Sequence, residues 1–463
     1  MRKAGILLGA GLIAALLVEI LLRWMQAPAL DYYRKVKLLH VYHPDYYVAL
    51  PANEDLYIRH HDGLWEGRFT TNSMGMRGSP EPDPDRPKLL CLGDSLVMGF
   101  GVSDQDTFCN LLNQHSDSGD FETPYQFMNI GVDAFGSMGS ALRMEDMVPR
   151  MENVEAVLFV ISPNDFEVPE ELARQGVEPD DVKDARRMND PAYNLSFRIQ
   201  FELTRYSYAL QAAKLAYENL LIKRSITSES VKAELIEAGF LEPAPRPGAE
   251  TSPESDSDGE RGLESGPENA DREPAAPANT PAEKASGSPL VDLSRTLNYT
   301  ISSFRGPVRD RCNFMNPEGE AENKCPEPVP SSVTCLPEAP SAAELPPLPE
   351  FTQKAYDRMI EFSKKSNVKL IPVIIPIQVE EIYCHNQGMY HPLGNYAIRS
   401  SDYFEKRGVK VMQLLPESSA MCSADHLIVD HFIPADGHFT KIGNKWAADA
   451  IKKNLKSFLE PKR

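Results

Sequence analysis

Two short stretches far apart in the chain carry side chains that could form a nucleophilic site. Ser95 ends the turn Gly93-Asp94-Ser95, directly after the apolar run KLLCL. Asp436 and His438 lie two residues apart in the loop PADGHFTKIGN near the C-terminus. A serine hydroxyl needs an adjacent base at neutral pH, and an imidazole oriented by a carboxylate is such a base. These residues predict nucleophilic catalysis if the fold brings them together, with Asp94 organising the turn.

A metal site is the competing interpretation of the C-terminal loop. Asp425-His426 and Asp430-His431 precede Asp436 and His438, and zinc binds such side chains. The sequence contains no His-Glu-x-x-His helix, so we predict no metal and no cofactor. His426 and His431 are expected to be ordinary loop or surface residues, and His60-His61 has no partner motif.

Apolar, β-prone runs alternate with helical stretches in both halves of the chain. The predicted strands cover residues 88–92, 125–132, 154–162, 368–377 and 409–415. The predicted helices cover residues 106–115, 140–151, 351–366 and 441–459. Near-continuous apolar strands between helices indicate an α/β fold whose parallel sheet is covered on both faces.

Unusual polar and glycine residues follow three of these strands. The first strand ends in Gly93-Asp94-Ser95, the second in Asn129-Ile130-Gly131 followed by VDAFGSMGS, and the third in Ser162-Pro163-Asn164-Asp165. Sites of doubly wound sheets form beyond the carboxyl ends of the strands. The three strand ends and the Asp436–His438 loop are therefore expected to meet at one edge.

These four blocks, in this order, resemble the SGNH (GDSL-type) hydrolase family of serine esterases. The stretches TTNSMGMRG (70–78) and GFGVSDQDTF (99–108) look like its membrane-anchored bacterial members. The resemblance implies a flavodoxin-like, three-layer α/β/α fold. It also implies a nucleophile at Ser95, a base at His438 and an orienting carboxylate at Asp436.

The resemblance further implies an oxyanion hole. Its donors would be the backbone N–H of Ser95, a backbone N–H of the second block, assigned to Gly136, and the side-chain amide of Asn164. The chain departs from the family pattern twice. The position best aligned with the family's oxyanion glycine falls near Ala134, and Ser162 stands where the third block usually has glycine.

The N-terminus predicts a membrane anchor. Residues 4–22 are almost entirely apolar, interrupted only by Glu19, and about 20 such residues span a bilayer. Ala27-Pro28-Ala29 resembles a signal-peptidase site, but its proline and the long apolar run favour an uncleaved anchor. Basic residues flank both sides of the span, so the charge rule does not orient it. The family resemblance implies a single-pass protein with an extracytoplasmic, periplasmic catalytic domain.

The catalytic domain is predicted to be split by a long insertion. We expect an anchor at 1–29, a juxtamembrane segment at 30–86, hydrolase halves at 87–165 and 351–463, and an insertion at 166–350. Within the insertion, residues 190–240 are helix-prone. Residues 243–290 have almost no large apolar side chains and are predicted to be disordered. The insertion is interpreted as a spacer, with a lid or partner arm as the alternative.

Composition limits the partners and the redox chemistry. The net charge of −19 over 463 residues argues against a nucleic-acid binder. The seven cysteines include no Cys-x-x-Cys pair. Cys91 and Cys109 are expected to be buried thiols. The remaining five could pair in an oxidising compartment: Cys312, Cys325, Cys335, Cys384 and Cys422.

The predicted function is hydrolysis of short, acetyl-like acyl esters, with an envelope polysaccharide as the candidate substrate. Glycines near the blocks suggest close backbone approach to a small acyl group. The alternatives are a carbohydrate O-acyltransferase, a lipase or lysophospholipase, and a non-catalytic envelope scaffold. Retention of Ser95, Asn164, Asp436 and His438 together argues against the scaffold.

Overall fold

The computed structural model describes both halves of the predicted domain and the N-terminal region. The described residues are 2–25, 28–43, 46–61, 63–132, 136–163, 195, 199, 202–203, 205–216, 333–423, 425–434 and 436–459. The predicted disordered stretch 243–290 lies outside them, as do Asn164 and most of the helix-prone stretch 190–240. Residues 208–216 of that stretch are helical.

Two helices and two antiparallel hairpins precede the main sheet. They are α1 (Arg2–Met25), α2 (Pro28–Leu38), β1 (Val41–His43) paired with β2 (Tyr47–Ala49), and β3 (Asp55–Arg59) paired with β4 (Glu66–Thr70). No single helix of the described residues is long and apolar enough to cross a membrane. Gly9–Met25 and Pro28–Leu38 reach that length and apolarity only as a pair, with a bend of 100° between them.

Within the described residues, five parallel strands form the main sheet. They are β5 (Lys88–Leu92), β6 (Gln126–Asn129), β7 (Val154–Ile161), β8 (Lys369–Ile374) and β9 (Met412–Gln413), in the order β6-β5-β7-β8-β9. Each lies within one of the five predicted runs, so the predicted α/β class and parallel sheet are confirmed. β7 and β8 are neighbours, and the long insertion connects them.

Helices follow the strands along the chain. They are α3 (Ser95–Met98), α4 (Phe108–Asp117), α5 (Gly136–Met147), α6 (Glu350–Ser366), α7 (Val379–Asn386), α8 (Asn395–Glu405) and α9 (Lys441–Leu459). The four predicted helices correspond to α4, α5, α6 and α9. The bounds of α9 agree with the prediction because its apolar residues recur every three to four positions.

The core lies on both faces of this sheet. Successive side chains of a strand point to opposite faces. Leu89 and Cys91 of β5 accordingly pack with apolar residues of α4, α7 and α9. Leu90 and Leu92 pack with residues of α5, α6 and α8. Because β5 is buried on both faces, the packing of this strand fixes the position at which the following turn begins.

Two disulfides that join pairs of described residues correct and extend the cysteine predictions. Cys91 of β5 is bonded to Cys109 of α4, with Cα atoms 6.3 Å apart, so the prediction of two buried thiols was wrong. Both residues are buried as expected, but the packing of α4 on β5 brings their side chains together. Cys335 is bonded to Cys384, with Cα atoms 5.5 Å apart.

The Cys91–Cys109 bond is expected to contribute substantially to stability. Its partners are 18 residues apart, and closing a loop of this length stabilises the folded state by about 3 kcal/mol. Replacing both cysteines by alanine in the full-length protein should lower the free energy of urea unfolding by about that amount. Peptide mapping without reductant should recover the 91–109 cross-link from the wild type. Two free thiols at these positions would contradict the bond.

Candidate active site

The Gly93-Asp94-Ser95 turn places Ser95 at the start of α3. Asp94 is the N-cap residue, and its Oδ1 accepts a hydrogen bond from the N–H of Leu96 at 2.9 Å. Its other carboxylate oxygen accepts one from Ser162 Oγ at 2.7 Å. The prediction that Asp94 organises this turn is confirmed. Ser162 stands where the family pattern has glycine, and its hydrogen bond to Asp94 links the end of β7 to the same turn.

Glycine is required at the first position of this turn. A Cβ on Gly93, whose φ is 157°, would lie 2.5 Å from Val97 Cγ2 and 3.2 Å from the Val160 carbonyl oxygen. The strand can therefore turn sharply into α3 only without a side chain here. β5 lies between β6 and β7, where the order of the strands reverses. Ser95 thus occupies the edge position at which doubly wound sheets bind ligands.

His438 and Asp436 meet Ser95 across almost the whole length of the chain. His438 Nε2 lies 2.7 Å from Ser95 Oγ, although the two residues are 343 positions apart. Asp436 Oδ1 is hydrogen-bonded to His438 Nδ1. The side chains of His438 and Asp436 are 19% and 10% exposed, and Ser95 is 5% exposed. The three predicted residues therefore form one hydrogen-bonded row with restricted access to water.

A closed loop holds the Asp–x–His pair in place. The N–H of Ile433 donates to the His438 carbonyl at 2.7 Å, and the N–H of Asp436 donates to the Ile433 carbonyl at 3.1 Å. Gly437 has a φ of 85°, a conformation that L side chains rarely adopt. This turn presents Asp436 and His438 to the same side. α9 begins three residues after His438.

The row has the geometry for activating a hydroxyl. A carboxylate can only accept hydrogen bonds, so Asp436 fixes the proton of His438 on Nδ1. Nε2 is then the acceptor, and the Ser95 hydroxyl donates to it. An imidazole in this tautomer could take the serine proton as the oxygen attacks an electrophilic carbon, and return it to the leaving group.

Two of the three expected oxyanion donors are among the described residues. Ser95 is the first residue of α3, a position whose N–H has no acceptor within the helix. Gly136 is the first residue of α5, is buried and has a φ of 58°. Asn164 lies outside the described residues, and so does Ala134, the alternative in the second block.

An aromatic row next to His438 was not foreseen from the sequence. The ring centroids of Phe100 and His438 are 5.2 Å apart, and those of Trp65 and Phe100 are 5.0 Å apart. Tyr32 of α2 continues the row, 5.9 Å from Trp65. His60, which had no assigned role, packs against Tyr32 at 4.9 Å. The only signal in the sequence was the Phe100-containing stretch 99–108.

A buried arginine holds the loop that carries Phe100. Arg77 is 1% exposed, donates to the Val102 carbonyl at 2.9 Å and forms an ion pair with Asp104. Its guanidinium lies 3.5 Å from the ring centroid of Phe69 in β4. Asp104 also accepts hydrogen bonds from the N–H and hydroxyl of Thr70. Arg77 therefore fixes the β3–β4 hairpin against the loop after Ser95.

The upstream aspartates and histidines serve local structure. Asp430 accepts a hydrogen bond from the N–H of Leu427 at 2.8 Å, and His431 Nδ1 contacts the Leu427 carbonyl at 3.1 Å. His431 is buried, which lowers its pKa, so the prediction of a loop or surface residue was wrong in its exposure. Across the described part of the chain, no group of three or more His, Cys, Asp or Glu residues is arranged to hold a metal ion.

Comparison with known proteins identifies no relative: no protein-family model matches the chain, and no curated protein matches it.

Proposed function

We propose that the protein is a serine esterase of the SGNH type. The observation that carries this proposal is the Asp436–His438–Ser95 row at the carboxyl edge of the parallel sheet. The strand order and the helices on both faces are compatible with the flavodoxin-like, three-layer fold that the family resemblance implies. In this proposal Ser95 is the nucleophile, His438 the general base and Asp436 the residue that orients it.

Hydrolysis would proceed in two steps. The Ser95 oxygen attacks the ester carbon while His438 takes its proton, and the alcohol leaves with that proton to give an acyl-serine. Water then attacks the acyl group with His438 again as base, which releases the acid and restores Ser95. We assign the oxyanion donors to the N–H groups of Ser95 and Gly136 and to the Asn164 amide. One such donor typically contributes about 3 kcal/mol of transition-state stabilisation.

We propose a short acyl group as the substrate's electrophile, carried by an envelope polysaccharide. Ser95 is almost completely buried, and Phe100 closes one side of His438, which supports a small acyl group beside the nucleophile. Trp65, partly exposed behind Phe100, adds a flat apolar surface. The same chemistry with a sugar hydroxyl in place of water would give an acyltransferase.

We place this domain outside the cytoplasm, held at the membrane by α1. The Cys91–Cys109 and Cys335–Cys384 bonds support this placement because disulfides persist in oxidising compartments. The apolar composition of α1 supports the anchor. The chemistry proposed for Ser95, His438 and Asp436 needs no cofactor.

The full-length protein is expected to react covalently with a fluorophosphonate probe and to prefer short esters. The probe requires an activated serine, and the burial of Ser95 favours a small acyl group over a long chain. Purified protein should therefore hydrolyse p-nitrophenyl acetate faster than the palmitate ester. Probe labelling measured by mass spectrometry and initial rates on both esters test this. A preference for palmitate would favour the lipase alternative, and absence of labelling would favour the scaffold.

A further inference from the structure

Glu19 interrupts the apolar run of α1, and the structure gives it a specific partner. Glu19 Oε2 accepts hydrogen bonds from Ser207 Oγ at 2.8 Å and from the N–H of Ala209 at 2.9 Å. Its Oε1 accepts one from the N–H of Tyr208 at 3.1 Å. These donors begin the helix at residues 208–216, so Glu19 caps the N-terminus of a helix that belongs to the insertion.

Arg23 binds the end of the helical piece that precedes Ser207, on the opposite side of Ser207 from the helix that Glu19 caps. It lies one turn after Glu19, pairs with it at 2.7 Å and donates to the Tyr206 carbonyl at 2.6 Å. Residues 205–206 are helical and Ser207 is not, so this carbonyl ends the preceding helical piece. Two helix ends meet at Ser207. The acidic Glu19 binds the N-terminus, which carries a partial positive charge, and the basic Arg23 binds the C-terminus, which carries a partial negative charge. Tyr208 adds a hydrogen bond to Asp31 of α2 at 3.1 Å.

The segment around Ser207, which is hydrogen-bonded to α1, exposes apolar side chains to solvent. We call Leu195, Ile199, Leu203, Tyr206 and Leu210 the apolar stripe. Its members are 42–60% exposed, lie at helical positions on both sides of Ser207 and are three or four residues apart, a spacing typical of one side of a helical segment. In the same segment, Arg205, Tyr208 and Gln211 are buried. The segment is therefore apolar on its outer side and polar where it packs on the protein.

The helix α1, to which this segment is hydrogen-bonded, also exposes apolar side chains. Except for Arg23, the large exposed side chains of α1 in the described part of the chain are also apolar: Ile13, Leu16, Leu17, Val18, Ile20, Leu21 and Trp24. Ile20 and Trp24 directly follow the two docking residues, Glu19 and Arg23. Trp24, which follows Arg23, is 81% exposed, and Tyr206, whose carbonyl accepts a hydrogen bond from Arg23, is 59% exposed. Exposed aromatic rings next to an arginine are typical of the membrane–water interface.

We propose that the stripe contacts the lipid bilayer, so that the insertion supplies a second membrane-binding element docked on α1. An amphipathic helix of this kind lies in the plane of the interface with its apolar side among the acyl chains. The inference rests on the proposed membrane position of α1. It assigns to Glu19 and Arg23 the task of holding the two elements together.

Photo-crosslinking in phosphatidylcholine vesicles tests this. The full-length protein carries p-benzoylphenylalanine in turn at Leu17, Leu203, Leu210 and, as a control on the exposed side of α6, Lys364. We expect lipid adducts by mass spectrometry at positions 17, 203 and 210, at yields several times that at 364. Fluorophosphonate labelling of each variant, measured in parallel, reports separately on the catalytic site.

Each other outcome overturns the proposal. Adducts at 17 alone would leave α1 in the membrane and remove the stripe from it. Adducts at none of the sites would overturn the anchor as well, whether or not the serine still reacts. Cross-links from 203 to a second copy of the chain would make the stripe a protein interface. The double variant Glu19→Ala, Arg23→Ala should lower the adduct yield at 203 several-fold while sparing that at 17; unchanged yield at 203 would refute docking by this pair.

Discussion

Replacing Ser95 by alanine is expected to lower kcat/KM for p-nitrophenyl acetate by about 10⁴-fold or more and to abolish fluorophosphonate labelling. The substitution removes the oxygen that lies 2.7 Å from His438 Nε2 and that the proposed mechanism uses as the nucleophile. Initial-rate kinetics and mass spectrometry of the labelled protein measure the two effects. The fold should persist, because the change removes one small polar atom and introduces no buried charge.

Ser118→Ala is the matched control for this experiment. Ser118 is an exposed serine at the end of α4, and its hydroxyl donates only to the carbonyl of Gln114. Both activity and labelling should remain at the wild-type level. Labelling that survives Ser95→Ala would show that another residue is the nucleophile. Activity that survives without labelling would show that hydrolysis does not pass through an acyl-serine.

Replacing Glu381 by glutamine is expected to stabilise the protein at alkaline pH. Glu381, in α7, is 2% exposed, and among the described residues its Oε2 has no hydrogen-bond partner. Burial raises its pKa to about 8. The facing titratable groups are Tyr390 and Tyr396, whose own pKa values are raised by burial and by the Glu381 charge. In the described part of the chain, no positively charged group is among the causes that shift the pKa values of Glu381, Tyr390 and Tyr396.

The sign of the effect follows from the two states of the chain. The unfolded chain releases the Glu381 proton near the ordinary pKa of about 4.3, whereas the folded protein keeps it until about pH 8. The stability associated with the neutral carboxyl is complete below pH 4.3 and is lost as the pH rises towards 8. Over three pH units this amounts to roughly 4 kcal/mol, which glutamine, having no proton to release, does not lose.

Urea unfolding of the wild type and of Glu381→Gln between pH 5 and pH 8 measures this difference. The gap between the two stabilities should widen steadily in favour of the variant. Glu380→Gln is the matched control, because Glu380 is the neighbouring carboxyl in the same helix and is less buried. It should follow the wild type. A pH-independent gap for Glu381→Gln would mean that the carboxyl ionises in the folded protein as it does in the unfolded chain.

The strands were predictable because their signal is local. Val154–Ile161 is a run of eight residues in which the last six are buried, and such a run needs cover on both sheet faces. The prediction extended β9 to seven residues, 409–415. The strand β9, at one edge of the sheet, consists of Met412 and Gln413, which are in register with Val373 and Ile374 of β8. α7 and α8 were missed because Gly388, Pro392 and Gly394 break the helical pattern between them.

The site was predictable only in part. The order of the blocks and the rule that parallel strands end at one edge were enough to bring Ser95 and His438 together as an expectation. Phe100 and Trp65 could not be paired from the sequence, because ring contacts depend on how the β3–β4 hairpin packs on the sheet. The Cys91–Cys109 bond was missed for the same reason, since it joins a strand to a helix.

Under the proposed anchoring by α1, the packing of α2 sets a lower limit on the length of any form of the protein released by proteolysis. Tyr32 and Leu39 share a buried cluster with Met98, Phe100 and Val132, so α2 supports the loop next to the nucleophile. Proteolysis before Pro28 would release a fragment that keeps this support intact. Cleavage after Ala29 would remove the first two residues of α2, Pro28 and Ala29, of which Ala29 is buried. Release after Leu38 would leave the Asp436–His438–Ser95 row in the product and take away the helix on which its neighbouring loop rests.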